Sequence, residues 1–430
     1  MKNHLNIRSA AKGGSVLDSS GRSNRPSQRR SNISVAGHGC GNWSDEVIIG
    51  VPKEIATGER RVALVPEGVK ALKKLGVDVL IETGAGVEAG FTDQSYVDED
   101  AKIASSAAEV FNSADIVIKI APPQVGGPTG NEIEALREGS AVISLMKPLD
   151  LPELAAQLAA RKVTAFSTEL MPRITRAQSM DVLSSQSTIA GYRAVLMAAM
   201  ALPRVFPMMV TAAGTLRPAK AFVIGAGVAG LQALGSAKRI GAVTSAYDTR
   251  VAVREQVQSV GAKFIELDLD TGDSEDKGGY AKAETEEFYI KQREELGKHV
   301  ALADVVITTA LVPGRDAPLL ITADAVRKMR PGSVIVDLAA EKGGNCELTE
   351  PDKTIMVNGV TIIGDTNLPA HVPAHASQMF SKNLTTFLDH LIDDGKLVID
   401  REDEITAGTL TAYEGEVTNE MIRQRLEGNS

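Results

Sequence analysis

The chain has 430 residues, more than one hydrophobic core usually supports, so two domains of ordinary size and a tail are expected. Hydrophobic residues make up 43%, charged residues 23% and aromatics 4%, with 39 glycines, the balance of an Ala/Val/Gly-rich α/β protein. The formal net charge is −9 although residues 1–44 hold seven Lys and Arg against Asp18 alone, so the body of the chain is strongly acidic and no nucleic-acid partner is expected.

The longest apolar run, residues 194–202, is about half of the roughly 20 residues a membrane span needs and reads as a buried helix. Cys40 and Cys346 stand in unrelated contexts, which gives neither a disulfide framework nor a zinc spacing and suits a reducing compartment.

Residues 1–44 are rich in Ser, Asn, Gly and Arg without apolar periodicity, so a disordered N-terminal extension is expected. Its Arg- and Ser-rich, acid-poor composition suits an organelle transit peptide; the lack of a convincing amphipathic helix favours an upstream start or an added extension instead. From Glu46 onward, strands are predicted at 47–51, 77–81, 115–120, 141–145 and 163–166. Between them lie helices, at 66–76 with Val69, Leu72 and Leu75 on one face and Gly76 as the stop, and at 151–162 with Leu154, Ala155 and Leu158 inward.

A second series of strands is predicted at 221–224, 242–248, 263–267, 304–308, 333–337 and 361–364, enough for one doubly wound domain. The acidic, Gly-containing stretch 268–287 reads as a surface insertion before a helix. A helix over 187–204 leads into the second lobe, and one over 377–391 returns the chain to the first.

The sharpest motif is Gly225-Ala226-Gly227-Val228-Ala229-Gly230, which follows an apolar strand and opens a helix carrying Leu231, Leu234 and Ala237 at spacings of three. In a Rossmann turn Gly225 permits the tight bend, Gly227 lets the backbone approach a pyrophosphate, and Gly230 packs helix on strand. The helix N-terminus supplies N–H donors and positive dipole to the phosphates. Asp248 ends the next strand, 18 residues after Gly230, where a carboxylate can accept from both ribose hydroxyls and repel a 2′-phosphate. NAD(H) is therefore the expected cofactor, a preference that the cation Arg250 weakens. The alternatives are a Gly-rich turn without a ligand and a solvated strand end at Asp248.

The expected fold is α/β, with two Rossmann-like doubly wound parallel-sheet domains flanking a cleft. The first is discontinuous, residues 45–185 with 370–430, and the second, 186–369, binds NAD(H).

Pro52-Lys53-Glu54, the run Glu59-Arg60-Arg61-Val62-Ala63-Leu64-Val65-Pro66 and Ala310-Leu311-Val312-Pro313-Gly314 carry a resemblance to the alanine dehydrogenase and pyridine nucleotide transhydrogenase family, over about residues 47–376. The polar segment 173–186 resembles a loop of the transhydrogenase branch that alanine dehydrogenases lack. The resemblance implies that Arg173, Gln178, Asp181 and Ser184 contact the nicotinamide and bring it against a second one. It also implies that Val228, Thr249, Arg250, Gly279, Ala310 and Leu311 line the adenosine and nicotinamide ribose.

Direct hydride transfer between two nicotinamides requires close approach and exclusion of water, not a general base. A guanidinium, an amide, a carboxylate and a hydroxyl can fix two carboxamides and their riboses without offering an acid. Read without the resemblance, the segment is a polar interdomain linker.

Arg61 and Lys119 fall where alanine dehydrogenases bind a substrate carboxylate, whereas Lys147 and Glu341 fall where those enzymes place a His and an Asp. Between Glu46 and Lys298 the sequence has no His to abstract a proton from an amino acid. His299, His371, His375 and His390 come later; Pro373 parts His371 from His375, and no acid completes a metal set, so none is expected. Asp337 and Asn367, at predicted strand ends, face the cleft or serve as caps.

The resemblance implies a chain that supplies the NAD(H)-binding component of a proton-translocating transhydrogenase. A membrane-embedded proton-channel subunit and an NADP(H)-binding subunit would be its partners, with NADP(H) held on the latter. It further implies a homodimer attached peripherally to the inner face of the cytoplasmic membrane. An NAD-dependent alanine dehydrogenase is the alternative enzyme.

Overall fold

The computed structural model describes residues 47–126, 130–267, 285–312 and 314–428. The expectations of a disordered segment over residues 1–44 and of a nucleotide contact at Gly279 lie outside the described residues, as does most of the acidic insertion.

Two sheets dominate. In the first lobe the strands are β1 (Ile48–Val51), β2 (Asp78–Glu82), β3 (Lys102–Ala104), β4 (Ile116–Ile118), β5 (Ala141–Ser144) and β6 (Thr164–Ser167). In the second they are β7 (Lys220–Ile224), β8 (Val243–Tyr247), β9 (Lys263–Phe264), β10 (Val305–Thr308), β11 (Val334–Asp337), β12 (Thr354–Val357) and β13 (Val360–Ile363). Two late strands, β14 (Leu410–Tyr413) and β15 (Glu416–Val417), return to the first sheet.

The first sheet runs β15-β14-β6-β5-β4-β1-β2-β3 and the second β9-β8-β7-β10-β11-β13-β12. Strands β1 to β6 are mutually parallel, as are β7 to β11 with β13; only β12, β14 and β15 join antiparallel. Most central strands are buried along their whole length, which is why they read as continuous Val/Ile runs rather than alternations. The fold is thus α/β with two Rossmann-like sheets. In each, the strand order reverses once, between β1 and β4 and between β7 and β10, and such reversals open the crevice where ligands bind at the carboxyl ends of the strands.

Two helices bind the lobes into one unit. The helix Val182–Ala201 starts with Val182 in the first lobe's core and ends with Ala194, Val195 and Ala198 in the second's. It begins at 182 rather than at the expected 187 because Asp181 is its N-cap and accepts the Ser184 N–H. The helix Pro373–Leu391 starts four residues before the expected 377, since Pro373 occupies its first turn, where the missing N–H costs nothing. Phe380, Leu384, Phe387, Leu388 and Leu391 form its apolar face and enter the first core, where Phe387 meets Phe166 edge-on at 5.8 Å.

Strands 263–267 and 115–120 are shorter than expected, and β3, β12, β14, β15 and the exposed hairpin Met209–Thr211 and Gly214–Leu216 were not expected.

Candidate functional site

β7 delivers the chain into the glycine turn at the reversal point of the second sheet. Gly225 has φ +93°, and a Cβ there would stand 2.6 Å from Thr309 Oγ1 and 3.3 Å from Ala310 N, so only glycine fits between the ends of β7 and β10. Thr309 Oγ1 donates to the Gly225 carbonyl at 3.0 Å and locks the two strand ends together. A Cβ on Gly230 would lie 1.9 Å from the Gly225 oxygen. Gly227 caps the helix Val228–Arg239 without a side-chain acceptor, so the first-turn amides face outward from a cradle of main chain. Val228 is exposed at the first helical position, and Leu311 is exposed just past the end of β10.

Asp248 follows β8 and is buried; it accepts the Ala226 N–H of the turn at 2.7 Å. Thr249 and Arg250 come next and are half-buried. Ala310 is held from behind by Asn345, whose Oδ1 accepts its N–H at 3.0 Å and whose Nδ2 donates to its carbonyl at 2.8 Å. The sequence reading missed Asn345, which is fully buried; an Asn directly after Gly343-Gly344 was the available signal.

The polar loop lies one helix away. Thr175–Met180 form a 3-10 turn whose Ala177 and Met180 are buried in the first core. Asp181 and Ser184 are brought together, with Asp181 Oδ1 accepting the Ser184 N–H at 2.9 Å and Oδ2 accepting its hydroxyl. Arg173 and Gln178 are exposed on the same loop. Arg176 pairs with Asp403 at 3.0 Å, and Ser179 O accepts from Asn383 Nδ2 at 2.8 Å, so the loop backbone is tied down while its polar tips face outward.

The helix that starts at Asp181 touches the Rossmann helix at Gly191, where a Cβ would fall 2.1 Å from the Ala229 carbonyl oxygen. Ten residues of α-helix are about 15 Å, so Asp181 and the turn stand roughly that far apart along one rigid element. Gly191 was also missed, although a lone Gly in an apolar helix is a packing signal.

Between the lobes the charged side chains are committed to one another. Arg61 forks onto Glu59 at 2.7 and 2.6 Å and reaches Gln186 at 2.9 Å and Asn367 at 3.2 Å, while Asn367 donates back to Glu59 at 3.1 Å. Burial would raise the Glu59 carboxyl, but the bonds and charge of Arg61 outweigh it and hold it below the usual range. Lys119 has no exposed side-chain surface; it sits 2.9 Å from Glu132 and 3.5 Å from Glu54. Burial works against its charge, but the two carboxylates prevail and raise its pKa, while burial pushes Glu54 up.

Neither cation is therefore open to a substrate carboxylate in this arrangement, contrary to what the likeness to alanine dehydrogenases implies. Asp337 is fully buried and bonds Thr308, Ala339, Cys346 and Thr349, a structural cap rather than a cleft residue. His371 contacts Asp365 at 2.6 Å, and His375 lies within the helix after Pro373.

The family model for the alanine dehydrogenase/PNT N-terminal domain matches residues 50–190, and that for the alanine dehydrogenase/PNT C-terminal domain matches 194–420. The chain belongs to the alanine dehydrogenase/PNT family. It is similar to the first part of NAD(P) transhydrogenase subunit alpha of Rhodospirillum rubrum, with 49% identity over 374 residues, 86% of this chain and 97% of that protein. It is also similar to the crystal structure of transhydrogenase from Sinorhizobium meliloti, 45% identical with a TM-score of 0.77 over 86% of this chain and 99% of that one. A solved L-alanine dehydrogenase superposes with a TM-score of 0.73 at 28% identity, covering 89% of this chain and all of that one. Within the alanine dehydrogenase/PNT family, then, this chain resembles the named transhydrogenase subunits far more than the named dehydrogenases. The seam between the two family models falls inside the helix Val182–Ala201.

Proposed function

We propose that this chain is the NAD(H)-binding subunit of a proton-translocating NAD(P) transhydrogenase. The observation that carries the reading is its likeness to the Rhodospirillum rubrum transhydrogenase alpha subunit along nearly the whole of that protein, joined to a glycine turn that fits a dinucleotide. Gly225 and Gly230 let strand, turn and helix pack where a Cβ would collide with the chain itself, Gly227 keeps open space before the helix, residues 227–229 offer main-chain amides, and Asp248, at the end of the next strand, supports a ribose contact.

When bound, the nicotinamide supplies the hydride-transfer chemistry. The chain's own residues bind, orient and exclude water. The amides of residues 227–229 hold the pyrophosphate; Arg173, Gln178, Asp181 and Ser184 orient the nicotinamide end toward NADP(H) on a partner subunit; and Val228 and Leu311 shield the ribose from water. The sealed pairs Arg61–Glu59 and Lys119–Glu132 support a cleft that does not take up an amino acid.

A membrane-embedded proton-channel subunit and an NADP(H)-binding subunit complete the enzyme, and the chain attaches to the inner face of the cytoplasmic membrane through them. No helix among the described residues is long and apolar enough to cross a membrane. A homodimer is supported by the hairpin Met209–Thr211 and Gly214–Leu216, which exposes Met208, Met209, Val210 and Leu216 and is too small to be stable by itself.

The test mixes the purified chain with an NADP(H)-binding domain and follows hydride exchange from NADH to an NADP analogue. Exchange that needs both components is expected, and no exchange rejects the reading. Reduction of NAD with L-alanine by the chain alone would establish the dehydrogenase instead.

A further inference from the structure

The Asp248 carboxylate is fully engaged within the chain. Oδ1 accepts the Arg250 main-chain N–H at 2.8 Å and its Nε–H at 3.0 Å, and Oδ2 accepts the Ala226 N–H at 2.7 Å and the Arg250 Nη2–H at 2.9 Å. A carboxylate offers about four acceptor positions, and these four bonds fill them. Two are main-chain bonds that belong to the fold, one to the glycine turn and one to the bend after β8. The other two come from a single planar guanidinium, laid side-on as a fork across both oxygens.

A ribose that bonds Asp248 through its vicinal hydroxyls must place two donors on those same two oxygens. With the main-chain bonds in place, the positions left for it are those the fork holds. The guanidinium also reaches toward the turn, since a Cβ on Gly227 would lie 4.0 Å from Arg250 Nη2.

We propose that Arg250 is a displaceable occupant of the ribose subsite, whose guanidinium holds Asp248 until the diol of an adenine nucleotide replaces it. This rests on the reading of residues 225–230 as a nucleotide turn. The exchange keeps the buried carboxylate compensated before the ligand arrives, because an unpaired charge at this depth would be costly. It lowers apparent affinity by the fraction of molecules in which the fork has moved. It also makes a free diol the condition for entry: a 2′-phosphate leaves one hydroxyl where two donors are needed and sets an anion against Asp248. Arg250 thus reinforces the choice of NAD(H), where the sequence alone suggests that it weakens it.

The experiment is calorimetric titration of the full chain with NADH, adenosine and 2′,3′-dideoxyadenosine, comparing wild type with Arg250→Ala and Arg250→Lys. Adenosine carries no phosphate, so the loss of a cation near the pyrophosphate does not mask the result. Arg250→Ala is expected to bind adenosine about two- to five-fold more tightly, because the diol no longer has to displace the fork, with dideoxyadenosine unchanged. Arg250→Lys, which cannot span both oxygens, is expected to fall between and carries the test if Arg250→Ala fails to fold. Equal or weaker adenosine binding in the folded variants overturns the proposal. A wild-type chain that binds neither NADH nor adenosine defeats the reading of the turn instead.

Discussion

Lys147 of the first lobe and Glu341 of the second form an ion pair across the interlobe cleft. Beside it Asp150 and Lys342 pair with the polarity reversed. Lys147 is held in place by Glu169, which accepts the Met146 N–H at 2.9 Å and the Lys147 N–H at 2.6 Å and keeps the residue at φ +50°. The side chains of the first pair are 43% and 46% exposed, so each such pair contributes about 0.2–1 kcal/mol, enough to bias lobe closure but not to fix it. Glu341→Lys is expected to open the ligand-free protein, read as a larger radius of gyration by X-ray scattering, with Lys147→Glu/Glu341→Lys restoring it. An unchanged radius in the single variant would show that the pair does not hold the lobes.

Lys119→Met leaves Glu54 and Glu132 buried without their cation. Breaking a buried pair in this way costs about 3–5 kcal/mol. Thermal unfolding should show a large drop in melting temperature, and Glu132→Gln a smaller one, because Lys119 keeps Glu54. A Lys119→Met protein that melts like wild type would mean that Glu54 and Glu132 take up protons without penalty.

The regions of the fold carried by long apolar runs were legible, since buried parallel strands such as β4, β5 and β10 leave no alternation to misread. Short edge elements were not: β3 is three residues long, β14 draws its partner β6 from 246 residues away, as with Thr411 and Ala165, and β15 joins the sheet only through β14. The glycine turn was legible because φ, close approach and a following helix constrain the sequence itself. The state of its neighbours was not. That Arg250 covers Asp248, and that Arg61 and Lys119 are already committed to Glu59, Glu54 and Glu132, depends on side chains meeting across the fold, which no spacing encodes.

Gly191→Ala tests the close contact between the two helices. Its Cβ would meet the Ala229 carbonyl oxygen at 2.1 Å, a main-chain atom that cannot swing aside, so the two helices must separate. The expected result is a loss of about 1–3 kcal/mol in stability together with weaker NADH binding, because the displaced residue belongs to the glycine turn. Gly235→Ala, on the same Rossmann helix with nothing near its Cβ, serves as the control and should be neutral or slightly stabilising. Equal melting temperatures for both variants would show that the close approach of the two helices contributes nothing.

Glu59 gives the cleft an acid-sensitive joint. Its folded pKa is depressed below the ordinary glutamate value: burial raises it, and Arg61 more than reverses this. Its contribution to stability is therefore present above the unfolded value and is lost as pH falls through the folded one. Glu54 runs the other way, because burial raises it, so its neutral form is favoured at a higher pH when folded and acidification relieves the strain there. Glu59→Gln should lower stability at neutral pH and flatten the decline on acidification, as followed by melting temperature across an acid titration. An acid limb as steep as that of wild type would place the sensitivity elsewhere.

Asp181 has two roles to separate, as the N-cap of the helix Val182–Ala201 and as a proposed nicotinamide contact. Asparagine caps as well as aspartate does, whereas alanine at an N-cap costs about 1 kcal/mol. Asp181→Asn should thus keep the wild-type melting temperature and NADH affinity, while Asp181→Ala should lose stability. If the carboxylate also orients the nicotinamide toward its partner, hydride exchange with an NADP(H)-binding domain should fall roughly tenfold in Asp181→Asn, about 1.4 kcal/mol in the barrier. The asparagine variant decides between the roles, since its one oxygen keeps the cap on the Ser184 N–H while the charge and the second acceptor are removed. Exchange at the wild-type rate would leave Asp181 a cap and shift the positioning to Arg173 and Gln178, the exposed side chains of the same loop.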